Sequence, residues 1–274
     1  MTPDDARRVG LRRTAIEVHK RGELKRPRDD WVVEEEPLEI RVDGAPLAVT
    51  LRTPGHDREL AIGFLVAEGV LGEPADLRSA EPTSDPFVYR PDHRFEIELA
   101  PTARARRARL EAARRETVAS AACGMCGKRR LEDVVRRLES VAAPTRAVSS
   151  EVVRRLPAAL REAQPLFDRT GGLHAAVLFD LDGRRLQGFE DVGRHNALDK
   201  LVGASFLAGA LPWRDRLVAV SSRAGYELVV KAATAGAPAL VAVGAASSLA
   251  VDIARRVGLE LWSFAREDRV NRHV

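Results

Sequence analysis

Between positions 173 and 264 the chain alternates short apolar runs with helical stretches, and this alternation limits the possible folds more than any other feature. Residues 173–180 read as a strand, Asp182-Gly183 as a turn and 185–190 as the returning strand. Then come a helix over 194–207, a strand over 217–221, a helix over 225–235 and a strand over 239–243. A helix over 247–257 follows, with Ser247 as its cap and Gly258 after it, and a last strand covers 259–264. Short apolar strands alternating with helices indicate an α/β domain with a mixed, largely parallel sheet.

The first half reads as a smaller α+β part. Residues 38–42 and 47–51 flank Asp43-Gly44, a hairpin signature. Thr53-Pro54-Gly55 offers a cap and a first-turn proline for a helix with Leu60, Ala61, Phe64 and Leu65 on one face, and Gly69 ends it. A Pro-broken stretch closes in a strand over 94–99. Residues 103–117 read as an arginine-rich helix, and Leu131, Val134, Val135 and Leu138 give 130–141 a helical period. The expected organisation is a loose arm over 1–30, the α+β part over 31–117, a cysteine loop and helix over 118–145, and the C-terminal α/β domain over 146–274.

The chain has 274 residues, 45% of them hydrophobic, which is enough for a sizeable core. It opens without an apolar run, and its most apolar stretch, 239–251, is too short for a bilayer, so a cytoplasmic protein is expected. Net charge is only +4, but 39 of the 44 basic residues are arginine. This fits either an anion-binding surface or a bias toward arginine codons. The arginine-rich helix likewise reads as a steering surface for an acidic partner or an anionic ligand, or as a solvated face.

The only two cysteines, Cys123 and Cys126, stand three residues apart in Ala122-Cys123-Gly124-Met125-Cys126-Gly127-Lys128-Arg129-Arg130. Two cysteines form no disulfide framework for a chain this long, so they point to chemistry. The glycines leave the sulfurs accessible, a helix start follows, and three cations lie alongside; the last two favour the thiolate. A zinc site would need two further ligands, for which His174 and His195 form no recognisable pair. A thioredoxin-like motif would follow a strand. Phosphate-loop, dinucleotide-binding and zinc-deaminase patterns are absent.

Five further blocks are too polar for pure core: 51–57 (LRTPGHD), 170–176 (TGGLHAA), 190–200 (EDVGRHNALDK), 221–227 (SSRAGYE) and 247–250 (SSLA). With the cysteine motif they resemble the FdhD/NarQ family of formate dehydrogenase accessory sulfurtransferases, over roughly residues 30–269. Gly225 and Ala246 depart from the family pattern, where serine and proline are usual, and the tail after Arg269 is short.

The resemblance implies a deaminase-like fold and a sulfur carrier. Sulfur would come from a cysteine desulfurase, ride as a persulfide on Cys123, and pass to the molybdenum bis(molybdopterin guanine dinucleotide) cofactor of formate dehydrogenase. The cofactor segment would fall on Phe264, Ala265, Arg266, Glu267, Asp268 and Arg269. Arg194 and Arg223 at strand ends are candidate phosphate ligands, and His195 a hydrogen-bonding or proton-trading group. His174 reads as a core histidine, and His56 has no assigned role. Neither nucleic acid nor membrane is expected as a partner, no resident metal is expected, and a homodimer would suit a cofactor of two-fold form. The alternative function is a cofactor-binding chaperone without persulfide chemistry.

Overall fold

The structure, a computed structural model, describes residues 10–20, 23–24, 28–83, 93–104 and 140–274. Strands β1 (Leu11–Ile16) and β2 (Arg28–Val33) pair antiparallel. Strands β3 (Glu36–Val42) and β4 (Ala45–Arg52) form the expected hairpin, with both turn residues at positive φ, Asp43 at 49° and Gly44 at 78°. That backbone geometry is what an Asp-Gly pair supplies. Helix α1 (Asp57–Ala67) follows, then β5 (Leu77–Pro82) and β6 (Arg94–Leu99), giving a four-stranded sheet in the order β4-β3-β6-β5.

The second half opens with helices α2 (Ser150–Glu162) and α3 (Pro165–Thr170). Strands β7 (His174–Asp180) and β8 (Arg185–Asp191) lead into α4 (Arg194–Leu207). Then come β9 (Arg216–Val220), α5 (Tyr226–Thr234), β10 (Ala239–Ala242), α6 (Ser248–Val257), β11 (Glu260–Ser263) and β12 (Asn271–Arg272). They build a six-stranded sheet in the order β8-β7-β9-β10-β11-β12.

Within this six-stranded sheet only β9-β10 and β10-β11 pair in parallel, which corrects the expectation of a largely parallel sheet. The tight turn at Asp182-Gly183 forces β8 back along β7, and so short a link cannot make the crossover a parallel pair needs. Two other expectations change. Residues 11–16 are a paired strand rather than loose arm. Helix α1 starts at Asp57 after His56, not at Pro54 with Thr53 as its cap, because Thr53 is committed to distant partners and the left-handed His56 (φ 60°) turns the chain into the helix. The arginine-rich helix expected over 103–117 lies outside the described residues beyond a short helix at Pro101–Arg104, and the helix expected over 130–141 lies outside them almost entirely.

Both faces of the six-stranded sheet are covered, so β7 is buried without a break from Ala175 to Phe179. Val177 and Phe179 meet the Val152, Val153, Leu156 and Leu160 stripe of α2. Ala176 and Leu178 face the opposite way, into a core built from α4, α5 and α6 that continues into α1 and the four-stranded sheet. The seam between the two halves is α1 on α4. A Cβ at Gly63 would lie 1.8 Å from the Asp199 carbonyl oxygen, and one at Gly203 would lie 1.9 Å from that of Glu59. Only glycine permits such backbone-to-backbone approach. None of the described helices is long and apolar enough to cross a membrane.

Candidate functional site along one edge of the sheet

Strand direction gathers five loops at one edge. The parallel strands β9, β10 and β11 end there, with Val220 opposite Ala242 and Val241 opposite Trp262. Because β7 is antiparallel to β9 and β8 is antiparallel to β7, the start of β7 and the end of β8 meet at the same edge, where Asp191 lies opposite His174. In open α/β sheets ligands bind outside the carboxyl ends of the strands.

The loops after the parallel strands are laced together. Gly244 N–H donates to Ser222 O at 3.0 Å, Ala224 N–H to Ala245 O at 2.9 Å, and Phe264 N–H to Gly244 O at 3.0 Å. Any Cβ at Gly244 would come within 2.9 Å of Arg223. This lacing sets the first turns of α5 and α6 side by side. Ser247 caps α6 by accepting from Ala250 N–H at 3.3 Å, whereas Gly225 at the cap of α5 makes no side-chain bond. Free N–H groups at helix starts favour anions.

The start of α4 is fixed by the fully buried Asp191. Its Oδ1 accepts from Gly193 N–H at 2.8 Å and Asn196 Nδ2 at 3.0 Å; its Oδ2 lies 2.7 Å from Lys200 Nζ and accepts from Thr53 N–H at 3.2 Å. Lys200 Nζ also donates to Thr53 O at 3.0 Å, Val192 N–H to Thr53 Oγ1 at 3.1 Å, and Asn196 Nδ2 to Leu51 O at 2.7 Å. Two of the polar blocks read from sequence, 51–57 and 190–200, are thus halves of one lock. Arg52 holds the first half in shape, donating to both oxygens of Asp57 at 2.9 Å and to Glu36 at 3.2 Å.

The candidate residues take distinct positions on this frame. Half-buried Arg194 opens α4, and His195 Nε2 stands 2.7 Å from Glu227 Oε2 in the first turn of α5. Burial pushes the Glu227 carboxyl up, but the His195 ring and the Tyr226 hydroxyl, 3.1 Å from Oε1, outweigh it and hold the group below the ordinary range. Burial pushes Asp199 up despite Lys231 Nζ at 2.5 Å. Arg223 is exposed. Phe264 is exposed at φ 49°, an outlier for a bulky residue, while Ala265 is buried. Arg266 Nη1 donates to Val243 O at 2.8 Å and Ala265 O at 2.7 Å. Glu267, Asp268 and Arg269 form an exposed turn closed by Arg266 N–H on Arg269 O at 2.8 Å. Cys123 and Cys126 lie outside the described residues.

His174 is not a core residue. It sits half-buried at the sheet edge, its Nδ1 3.5 Å from Ser221 Oγ. Burial, then the charges of Arg194 and His195, push its pKa down, with Asp191 pulling the other way. His56 packs edge-on against Phe189 at 4.9 Å. A cavity of about 580 Å³ opens between this edge and α2–α3, with His174, Ser221, Val243 and Arg266 on its sheet side. Ser221 and Glu227 lay inside recognised blocks without being singled out, and Gln164 of the cavity carried no local signal. Among the described residues no group of three or more His, Cys, Asp or Glu is placed to hold a metal ion.

The fold and its edge define an α/β protein that presents laced loops, paired helix starts and arginines at strand carboxyl ends, an arrangement suited to a phosphate-bearing ligand. Residues 33–273 match the FdhD/NarQ family model. The sulfur carrier protein FdhD of Corynebacterium efficiens is 42% identical over 256 residues, covering 90% of each chain. That of Streptomyces coelicolor is 44% identical over 268 residues, covering 96% of this chain and 93% of its own. The crystal structure of a formate dehydrogenase accessory protein from Desulfotalea psychrophila shares the fold, with a TM-score of 0.72, 96% coverage of both chains and 20% identity. The chain belongs to the FdhD/NarQ family.

Proposed function

We propose that this protein is a sulfur carrier needed for formate dehydrogenase activity, acting in the cytoplasm as a sulfurtransferase. It accepts sulfur from a cysteine desulfurase as a persulfide on Cys123 and delivers it to the molybdenum bis(molybdopterin guanine dinucleotide) cofactor, which is its substrate. The observation that carries this reading is identity of 42–44% to proteins named sulfur carriers, across 90% or more of both chains.

The chemistry balances on the two cysteines of the chain. The Cys123 thiolate attacks the outer sulfur of the donor's persulfide, forming Cys123-S-SH and releasing the donor's thiolate. The Cys126 thiolate then attacks the inner sulfur, forming a Cys123–Cys126 disulfide and expelling hydrosulfide toward the acceptor. A dithiol reductant resets the pair. On this reading the dinucleotide lies along the laced edge, with Arg266 and Arg269 at its phosphates, Arg194 and Arg223 flanking them, and the first turns of α5 and α6 offering N–H groups. His195, held by Glu227, is the group placed to exchange a proton there.

The test is intact mass after incubation with a cysteine desulfurase and cysteine. Wild type should gain about 32 Da, one sulfur atom, reversibly with a thiol reductant, and Cys123→Ala should gain none. No gain in wild type rejects the carrier. A Cys126→Ala protein that still delivers sulfur in full rejects the disulfide step alone.

A further inference from the structure

Alone among the described helices, α3 has no buried residue. Phe167 of α3, with Gly171 and Gly172 just after the helix, nevertheless lines the cavity on the side facing the sheet edge. Most helices in proteins are held by an apolar face packed on a core, and α3 has no such hold. Its internal bonds are well formed: Gly171 N–H donates to Phe167 O at 2.7 Å and Thr170 Oγ1 to Leu166 O at 2.9 Å. It is a firm piece on a slight attachment.

That attachment is narrow. Among the described residues, the hydrogen bonds that tie α3 to the sheet are two, and both end on Glu190 of β8. Leu166 N–H donates to Oε2 at 2.9 Å and Phe167 N–H to Oε1 at 2.8 Å. These are N–H groups that a helix start leaves unpaired, so a carboxylate from a distant strand serves as the cap. Burial, and then Asp168, push the Glu190 carboxyl up, outweighing the two amides and Arg161, so the ionised form that makes both bonds is disfavoured by its surroundings. The link to α2 lies at the surface, where Arg161 pairs with Asp168 and stands 4.4 Å from the centre of the Phe167 ring. Exposed ion pairs hold weakly. At its far end α3 runs into Gly171, at φ 68°, and Gly172, both exposed. A few residues at the end of an element absorb the rotation in moving lids.

We infer that α3 is a lid on the cavity, latched shut by Glu190 and hinged at Gly171-Gly172, and that release of the two hydrogen bonds opens the way in. The inference rests on the proposed function for what passes the lid, a guanine dinucleotide. The latch and the hinge rest on the geometry of this chain.

Hydrogen–deuterium exchange read by mass spectrometry, with stopped-flow binding of GDP, on wild type and Glu190→Gln, tests this. Amides 166–171 should exchange about ten-fold or more faster in Glu190→Gln, the scale of one lost charge-assisted hydrogen bond, while those of β7 keep their rates. In wild type GDP should slow exchange over the same residues. Glu190→Gln should both take up and release GDP several-fold faster, a change that a merely structural wall would not give. Equal exchange of 166–171 in the two proteins overturns the lid. A rise in β7 equal to that in α3 does so too, since Glu190 would then support the whole domain. Faster α3 exchange with unchanged GDP rates also overturns it, because α3 would move without gating anything. In these three cases the sulfur carrier stands. A wild type that gains sulfur on Cys123 but binds no GDP rejects the lid together with the cofactor-binding part of the proposed function.

Discussion

Lys200 Nζ lies 2.7 Å from Asp191 Oδ2, and both side chains are closed to solvent. The pair joins β8 and α4 to Thr53 of the N-terminal half. Removing one member strands the other's charge, which costs about 3–5 kcal/mol. Lys200→Met should therefore lose that much in urea denaturation. A loss under about 1 kcal/mol would mean that water reaches the site and replaces the ammonium.

The α1–α4 seam should tolerate no side chain. Gly63→Ala or Gly203→Ala places a methyl against a carbonyl less than 2 Å away, so the helices must separate. Such overpacking costs about 1–3 kcal/mol or more. At about 2–4 °C per kcal/mol for a chain of this size, the expected drop in melting temperature is easily read by calorimetry. A change within about 1 °C would mean that the seam is looser than described.

His174 should make stability depend on pH. Burial first, then Arg194 and His195, lower its folded pKa below the ordinary value near 6.5. The unfolded chain therefore binds a proton that the folded chain refuses. The His174 contribution is complete above pH 6.5 and is lost as pH falls below it toward the folded value. His174→Gln should flatten that part of the profile, measured as the urea midpoint at pH 7.5 and 5.5. An unchanged pH slope would reject the assignment.

Gly225 is the uncapped start of α5, at φ −83°, and a Cβ there would meet nothing within 4 Å. Gly225→Ser should add a hydroxyl cap worth a few tenths of a kcal/mol, a rise of about 1 °C. A fall in melting temperature would show that the cap position is constrained in ways its open surroundings do not reveal.

These sites differ in how far the sequence exposes them. The Asp43-Gly44 hairpin and helix α6, between Ser247 and Gly258, were legible because their signals are local: positive φ at the turn, a hydroxyl cap, a left-handed exit. The start of α1 was not, because Thr53 reads locally as a cap while its N–H, Oγ1 and carbonyl serve residues 191–200. Pro157 hid α2, interrupting a stripe that tertiary burial against the sheet sustains. Strand β1 was hidden by polarity, with most of its residues partly or fully exposed. The edge itself was legible as motif blocks.

The lock between Thr53 and Asp191 also sets an order of events during synthesis. Its two halves lie 138 residues apart. At about 5–20 residues per second a ribosome needs roughly 7–28 s to make the second half after the first. For that interval the apolar face of α1, from Leu60 to Val66, has no α4 to close on. Through that interval the nascent N-terminal half carries the part of α1 that meets α4 without its partner.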